Sequence, residues 1–229
     1  MDVSFARQFP ALTFASGPTN SLRGAAKLTG LEEAIVIDIG GTTTDFVVLR
    51  GGFPRESNLV VEVGGVRTNF RMPDILAIGL GGGSLVSSDG SLVGPQSVGH
   101  QLVHDGLVFG GSTLTASDIA VAAGQTSMSD ASKVSGLAKE TVSAGLEQIR
   151  NMLNVGVRKM NPGKTVLPVV LVGGGAAISP DSLSADTNVI RPEHCDVANA
   201  IGAAIAQIGG ESERFVSCLR TRLNHLPGY

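Results

Sequence analysis

Little in this 229-residue chain points to a membrane, a disulfide scaffold or a nucleic acid. It holds two cysteines, Cys195 and Cys218, too few for a disulfide framework and without C-x-x-C spacing. A reducing, cytoplasmic location suits that usage. No apolar run approaches the length of a membrane-spanning helix. Arg7 and Pro10 interrupt the apolar stretch at the amino end, which makes a poor signal peptide. The formal net charge of −3 gives no reason to expect nucleic acid or an anionic membrane as partner. Charged residues are 16% of the chain against 42% hydrophobic ones, the balance of a folded globular protein. No internal repeat is evident, and the length allows one large domain or two small ones.

Glycine, by contrast, is abundant. Its 31 residues are about twice the usual share, and they cluster where apolar runs end, as punctuation of tight connections. The most informative cluster lies in Ala34-Ile-Val-Ile-Asp38-Ile-Gly40-Gly41-Thr42-Thr43-Thr44-Asp45-Phe-Val-Val-Leu49. Two apolar runs flank a turn of glycines and threonines, the pattern of a strand, a tight turn and a returning strand. Glycines let a backbone approach a ligand closely, and consecutive turn N–H groups form an anion-binding concavity. Threonine hydroxyls add donors, and Asp38 suits Mg²⁺ held through its water shell. A phosphate-bearing ligand is the expected guest. The plain alternative is a hairpin whose glycines only make the turn.

The remaining pattern predicts a mixed α/β order. A helix is expected over 16–30, ending at Gly30. A third strand at 59–63 would complete an antiparallel meander with the two strands of the hairpin. A second glycine cluster, Gly79-Leu-Gly81-Gly82-Gly83-Ser84, follows an apolar strand after Asp74. A short helix over 113–124 is capped by Thr115 or Ser117, with Asp118 in its first turn. The longest helical periodicity runs over 131–160 through Val134, Leu137, Val142, Leu146, Ile149, Leu153 and Val157. A continuous apolar run over 165–172 reads as a buried strand ending in Gly173-Gly174-Gly175. A short strand at 188–191 and an alanine-rich helix over 196–208, capped by Asp196, follow. Helices covering a sheet are the expected architecture.

Three glycine signals in this order resemble the actin-like ATPase superfamily, which includes sugar kinases and heat-shock chaperones. Within it the chain is most similar to the hydantoinase A and oxoprolinase family. The matching segments are Ser16-Gly-Pro with Gly24-Ala-Ala, Asp38-Ile-Gly-Gly-Thr-Thr-Thr-Asp45, Met72-Pro-Asp74-Ile, Gly79-Leu-Gly-Gly-Gly-Ser84, Gly90-Ser-Leu-Val-Gly-Pro95-Gln-Ser97, Leu114-Thr-Ala-Ser-Asp118 and Val197-Ala-Asn-Ala-Ile-Gly-Ala203. The resemblance covers roughly residues 14–210. It implies a ribonuclease H-like lobe with a mixed sheet, a three-strand antiparallel meander and covering helices. It also implies an ATP site with Mg²⁺ between two related lobes, in chemistry that activates a cyclic amide or carbonyl, such as 5-oxoproline or a hydantoin, by phosphorylation.

By that pattern Asp38 would stand near Mg²⁺ and the reacting phosphate oxygens, with Asp74 as a second catalytic carboxylate. Gly40, Gly41, Thr42, Thr43 and Thr44 would hold the phosphates. Gly81, Gly82, Gly83 and Ser84 would border the same cleft, and Gly173, Gly174 and Gly175 would lie against adenosine. Phosphoryl transfer asks mainly for positioning and charge neutralisation, so such residues can suffice for one side of a site. Full-length members resemble a pair of lobes, each with a phosphate hairpin, whereas this chain has one. The expectation is therefore a connecting helix region over 1–33, an ATPase lobe over 34–210 and a tail over 211–229, with an amino-terminal lobe or partner subunit completing the site. The alternative is a non-catalytic nucleotide-binding or assembly module. A sugar or pantothenate kinase would rest on D-x-G-G-T alone.

The smaller signals are weaker. His100 and His104 stand four apart with Asp105 adjacent, but Gly99 and Gly106 bracket them and no third metal ligand is signalled, so a solvated loop or lobe contact is expected. Where family members carry a segment with Pro, Cys and a following Tyr-Gly after G-P-x-S, this chain reads Val98-Gly-His100-Gln-Leu-Val-His104-Asp105. Glu193-His194-Cys195-Asp196 reads as a helix entry and not as a nucleophile with its base. Asp118 reads chiefly as a cap, and Asp45 either orders the phosphate turn or faces out from its strand.

Overall fold

The computed structural model describes residues 3–57, 62–63, 65–67, 72–163, 166–184 and 187–206. Its centre is a sheet in which β1 (Ala34–Ile39) pairs antiparallel with β2 (Thr44–Arg50) and parallel with β9 (Val169–Val172). Beyond β9 lies β10 (Val189–Ile190), also parallel. On the other flank β2 is joined by both β3 (Phe53–Pro54) and β6 (Ile75–Ile78), each antiparallel to it. Two small ribbons stand apart: β4 (Glu62–Val63) with β5 (Val66–Arg67), and β7 (Ser84–Val86) with β8 (Val93–Ser97).

Both faces of this sheet are covered, which explains why its strands read as continuous apolar runs. On one face Ile35, Ile37, Ile39, Phe46, Val48 and Leu171 pack against α4 (Ala116–Ala122) and α5 (Lys139–Met160) through Ile119, Ile149 and Leu153. On the other, Val36, Val47, Leu49, Val170 and Val172 meet α2 (Ser16–Thr29) and α6 (Ala198–Ala204) through Leu22, Ala25 and Ala198. The helix α2 thus belongs to a layer of the lobe. Glycine lets its backbone touch α6: a Cβ at Gly24 would overlap the Ala198 carbonyl, and one at Gly202 the Asn20 carbonyl. Two short helices, α1 (Val3–Gln8) and α3 (Leu102–Asp105), lie outside these layers.

Most expected elements form, with instructive differences. Gly30 closes α2 in the left-handed conformation, as its place after the periodic run predicts. The expected third meander strand is displaced. Of 59–63 only Glu62 and Val63 are among the described residues; they pair with β5, while β3 and β6 take the edge of β2. The long helix begins late. Residues 131–134 form a 3-10 turn, Gly136 follows, and α5 starts at Lys139. Asp196 does not cap α6: the residue at its N-cap is Val197, with no side-chain cap bond. Of the strand expected over 165–172, residue 165 lies outside the described residues, residues 166–168 are not strand, and β9 begins at Val169. Among the described residues no helix is long and apolar enough to cross a membrane. Cys218 and the tail over 211–229 lie outside the described residues.

Candidate functional site

The parallel strands β1 and β9 run side by side, with Asp38 opposite Val172, and their carboxyl ends open onto one edge of the sheet. In open α/β sheets that edge is where ligands bind. Here the turn 40–43 and the loop 173–175 meet. The turn is closed by one bond, from the Gly40 N–H to the Thr43 carbonyl at 2.9 Å. Gly41, Thr42 and Thr43 at its tip are exposed, and their three consecutive N–H groups find no acceptor among the described residues. An exposed run of unengaged donors with two threonine hydroxyls is a ready cradle for an anion.

The tip is held from beneath. Gly82 N–H donates to the Gly40 carbonyl at 3.0 Å and Gly83 N–H to the Gly41 carbonyl at 2.7 Å. Gly81 N–H donates to Ser84 Oγ at 2.9 Å, and Ser84 N–H returns to the Gly81 carbonyl at 3.0 Å. All four residues are buried and all four amides are spent inside the protein. Gly81, Gly82, Gly83 and Ser84 thus clamp the turn from its protein side. A Cβ at Gly81 would overlap Thr42 N and stand 2.6 Å from the Gly41 carbonyl carbon, so only glycine permits this approach. Thr44 is likewise turned into the protein. Fully buried, its hydroxyl donates to the Leu80 carbonyl at 2.7 Å and offers nothing to solvent.

Two carboxylates face each other at the base of the turn. Asp38 and Asp45 are cross-strand partners and lie on the sheet face that carries α2 and α6. Both are half-buried, and neither receives a side-chain hydrogen bond from the described residues. Burial first, and the neighbouring Asp38 charge second, push the Asp45 pKa up from its ordinary 3.8. Like charges directly opposite on a sheet are destabilising, so a pair without a donor is poised for a cation. The donor set fits Mg²⁺, which keeps several waters and takes one or two carboxylates along with phosphate oxygens. Among the described residues no group of three or more His, Cys, Asp or Glu could hold a metal.

The loop after β9 closes the other side. Gly173, with φ of 93°, sits so tightly beside Asp38 that a Cβ would overlap its carboxylate. Gly175 N–H donates to the Ile39 carbonyl at 2.7 Å. Gly174 between them is exposed, its N–H engages no acceptor among the described residues, and nothing lies within 4 Å of where its Cβ would be. Gly174 is therefore the open surface of this loop.

Asp74 is not brought to this edge. It precedes β6, whose register places Ile78 against Thr44 and Ile75 against Val47, so Asp74 lies about 10 Å along the sheet from Asp45. Its carboxylate pairs with Arg55 at 2.6 Å, and the same guanidinium reaches the Met160 carbonyl at 3.3 Å. That pair ties β6 to the end of α5. Asp118 is the cap its position predicts: fully buried, it completes a capping box with Thr115 and accepts the Val108 N–H at 2.8 Å. The sequence did not signal that residues 97–101 lie against the turn. Val98 N–H donates to the Gly83 carbonyl at 2.9 Å, and a Cβ at Gly99 would stand 3.8 Å from Thr42 Oγ1. The Asp38–Asp45 pairing, by contrast, was readable, since a tight turn centred between Gly41 and Thr42 makes these two partners.

The chain matches the family model described as Hydantoinase/oxoprolinase over residues 1–164. No curated protein sequence matches it. A nucleotide-free structure of acetone carboxylase, an enzyme of ATP-dependent acetone carboxylation, superposes with a TM-score of 0.67 at 22% identity, covering 83% of this chain and 32% of that one. The chain thus spans about a third of the acetone carboxylase chain's length, and the likeness is one of fold. An activator of 2-hydroxyisocaproyl-CoA dehydratase from Clostridium difficile with bound ADPNP gives 0.46 at 17% identity, covering 82% and 64%. Component A of the (R)-2-hydroxyglutaryl-CoA dehydratase of Acidaminococcus fermentans gives 0.43 at 16%, covering 81% and 65%. At those scores neither bears on the site. The fold is an α/β lobe with a mixed sheet covered by helices on both faces, as expected.

Proposed function

The chain belongs to the hydantoinase/oxoprolinase family, and on that premise we propose that it furnishes one wall of an ATP cleft in an ATP-dependent hydrolase of cyclic amides such as 5-oxoproline or a hydantoin. The observation that carries this reading is the run of N–H groups at Gly41, Thr42 and Thr43 that find no acceptor among the described residues, beside two facing carboxylates that find no donor among them. The tip amides and the hydroxyls of Thr42 and Thr43 would hold the phosphate chain. Asp38, with Asp45 opposite, would hold Mg²⁺, which when bound neutralises charge on the phosphate oxygens. Gly173 and the open Gly174 would lie against the nucleoside.

In this reading the exposed tip of the turn forms one side of the cleft, and a second lobe or partner subunit would supply the opposing wall and most of the amide pocket. Titration calorimetry with Mg-ATP tests the binding half of the proposal; Asp38→Asn should weaken Mg-ATP about tenfold or more, consistent with loss of a charged metal contact. Hydrolysis of 5-oxoproline or hydantoin, with the chain alone and with an added first lobe, tests catalysis. Folded protein that binds no Mg-ATP under either condition rejects the nucleotide reading. Binding without turnover favours the reading as a nucleotide-binding or assembly module.

A further inference from the structure

The segment 191–195 grips both ends of the loop that follows β9. Strand β10 runs parallel to β9, so Arg191, the residue after it, stands at the same edge of the sheet as Asp38 and Gly173. Its guanidinium donates to the Ser179 carbonyl and, at 3.1 Å, to the Pro180 carbonyl, and it pairs with Asp181 at 2.8 Å. Further along, the Cys195 carbonyl accepts the Gly173 N–H at 2.9 Å. Between these two grips the chain turns back on itself. Cys195 N–H donates to the Pro192 carbonyl at 3.2 Å, with His194 in the left-handed conformation at φ of 63°.

The loop is continuous between its ends. Ala176 N–H donates to the Gly173 carbonyl at 3.0 Å, Ile178 N–H to the Gly175 carbonyl at 3.0 Å and Ser179 N–H to the Ala176 carbonyl at 3.2 Å. Ser179 and Pro180 are buried, and the Ser179 carbonyl takes its donor from Arg191. Removing the guanidinium would strip a buried acceptor of that donor and release the far end of the loop. We propose that Arg191 is a positioning residue for the nucleoside: together with the Cys195 carbonyl it holds the loop 173–181 in the shape that presents the open Gly174. This rests on the nucleotide reading given above, in which the nucleoside lies against Gly173 and Gly174. The phosphate turn has its own clamp, through Gly82 and Gly83 on the carbonyls of Gly40 and Gly41, so the two halves of a nucleotide should respond to different substitutions.

The test is calorimetric titration of the full chain with Mg-ATP and with Mg-tripolyphosphate, which carries the same phosphate chain and no nucleoside, for the wild type, Arg191→Lys and Arg191→Ala. Wild type should bind Mg-ATP about tenfold tighter than Mg-tripolyphosphate. Arg191→Ala should weaken Mg-ATP about fivefold to tenfold, the loss expected when the competent loop is held in only a fraction of molecules, and leave Mg-tripolyphosphate within about twofold. Arg191→Lys, which keeps the charge and loses the fork of donors, should recover part of the Mg-ATP affinity. A clasp with a merely structural role would weaken both ligands together or neither; either result overturns this proposal and spares the nucleotide reading. Equal binding of the two ligands by the wild type overturns it as well. If Arg191→Ala does not fold, Arg191→Lys decides by the same ratio. Binding of neither ligand by the wild type overturns both the proposal and the nucleotide reading.

Discussion

The turn 40–43 and the segment 81–84 look alike in the sequence and behave oppositely in the fold. Each is a glycine run with hydroxyl residues at the end of an apolar strand. In the first, three exposed residues at the tip have amides with no acceptor among the described residues; in the second, all four amides are buried and spent on the protein itself. Glycine does two jobs here. At Gly41 it leaves open space for a ligand to approach, and at Gly81 it lets one backbone press against another. The second job makes the first possible, since an exposed turn of free donors would not hold its shape unaided.

Substitutions at the two segments should separate these jobs, and the largest effect is expected at the clamp. A Cβ at Gly81 would overlap Thr42 N, so Gly81→Ala should cost about 2–3 kcal/mol of stability, the scale of overpacking in a tight core, and should deform the turn enough to abolish Mg-ATP binding. Gly41→Ala meets nothing within 4 Å, so chemical denaturation should show a change within about 0.5 kcal/mol, with any loss confined to nucleotide affinity. Equal destabilisation by both would erase the contrast.

The threonines sharpen it further. Thr44→Val removes the buried bond to the Leu80 carbonyl and leaves that carbonyl without its donor, which should cost about 1–2 kcal/mol in a denaturation series. Thr42→Val should leave stability unchanged and weaken Mg-ATP severalfold. If instead Thr42→Val destabilises the protein and Thr44→Val spares it, the assignment of inner and outer faces is inverted.

The smallest effect concerns the carboxylate pair. The Asp45 pKa is raised by burial and by Asp38, so the folded chain holds that proton more tightly than the unfolded one. The resulting penalty is absent below the unfolded value of 3.8 and grows as pH rises through the raised value. In protein free of metal and nucleotide, Asp45→Asn should therefore add about 0.5 kcal/mol of stability at pH 7, and the gain should fade toward pH 3. A pH-independent gain would mean that neither burial of the Asp45 charge nor its repulsion by Asp38 is the source.

Local chemistry was legible in the sequence wherever one segment decides its own structure. The hairpin, the closure of α2 at Gly30 and the Thr115–Asp118 capping box all depend on neighbours within a few residues. What the sequence did not reveal depends on distant partners. Strands β3 and β6 take the edge of β2 because Arg55 bonds to Val48 and Asp74 bonds back to Arg55, contacts that no periodicity records. For the same reason Asp74, adjacent in motif order to the glycines, stands at the far end of its strand. The segment 81–84 carried a glycine signature but not its direction, because direction is set by which carbonyls lie opposite. Gly136 and the 3-10 turn before α5 broke a periodicity that side-chain pattern alone carried through.

Amide-resolved hydrogen exchange and NMR titration of the full chain test the central claim most directly. Gly41, Thr42 and Thr43 N–H should exchange fast in the free protein, with Gly81, Gly82 and Gly83 protected, and Mg-ATP should shift and slow the first three while the second three barely move. Tip amides already protected in the free protein, or unmoved by saturating Mg-ATP, would contradict it.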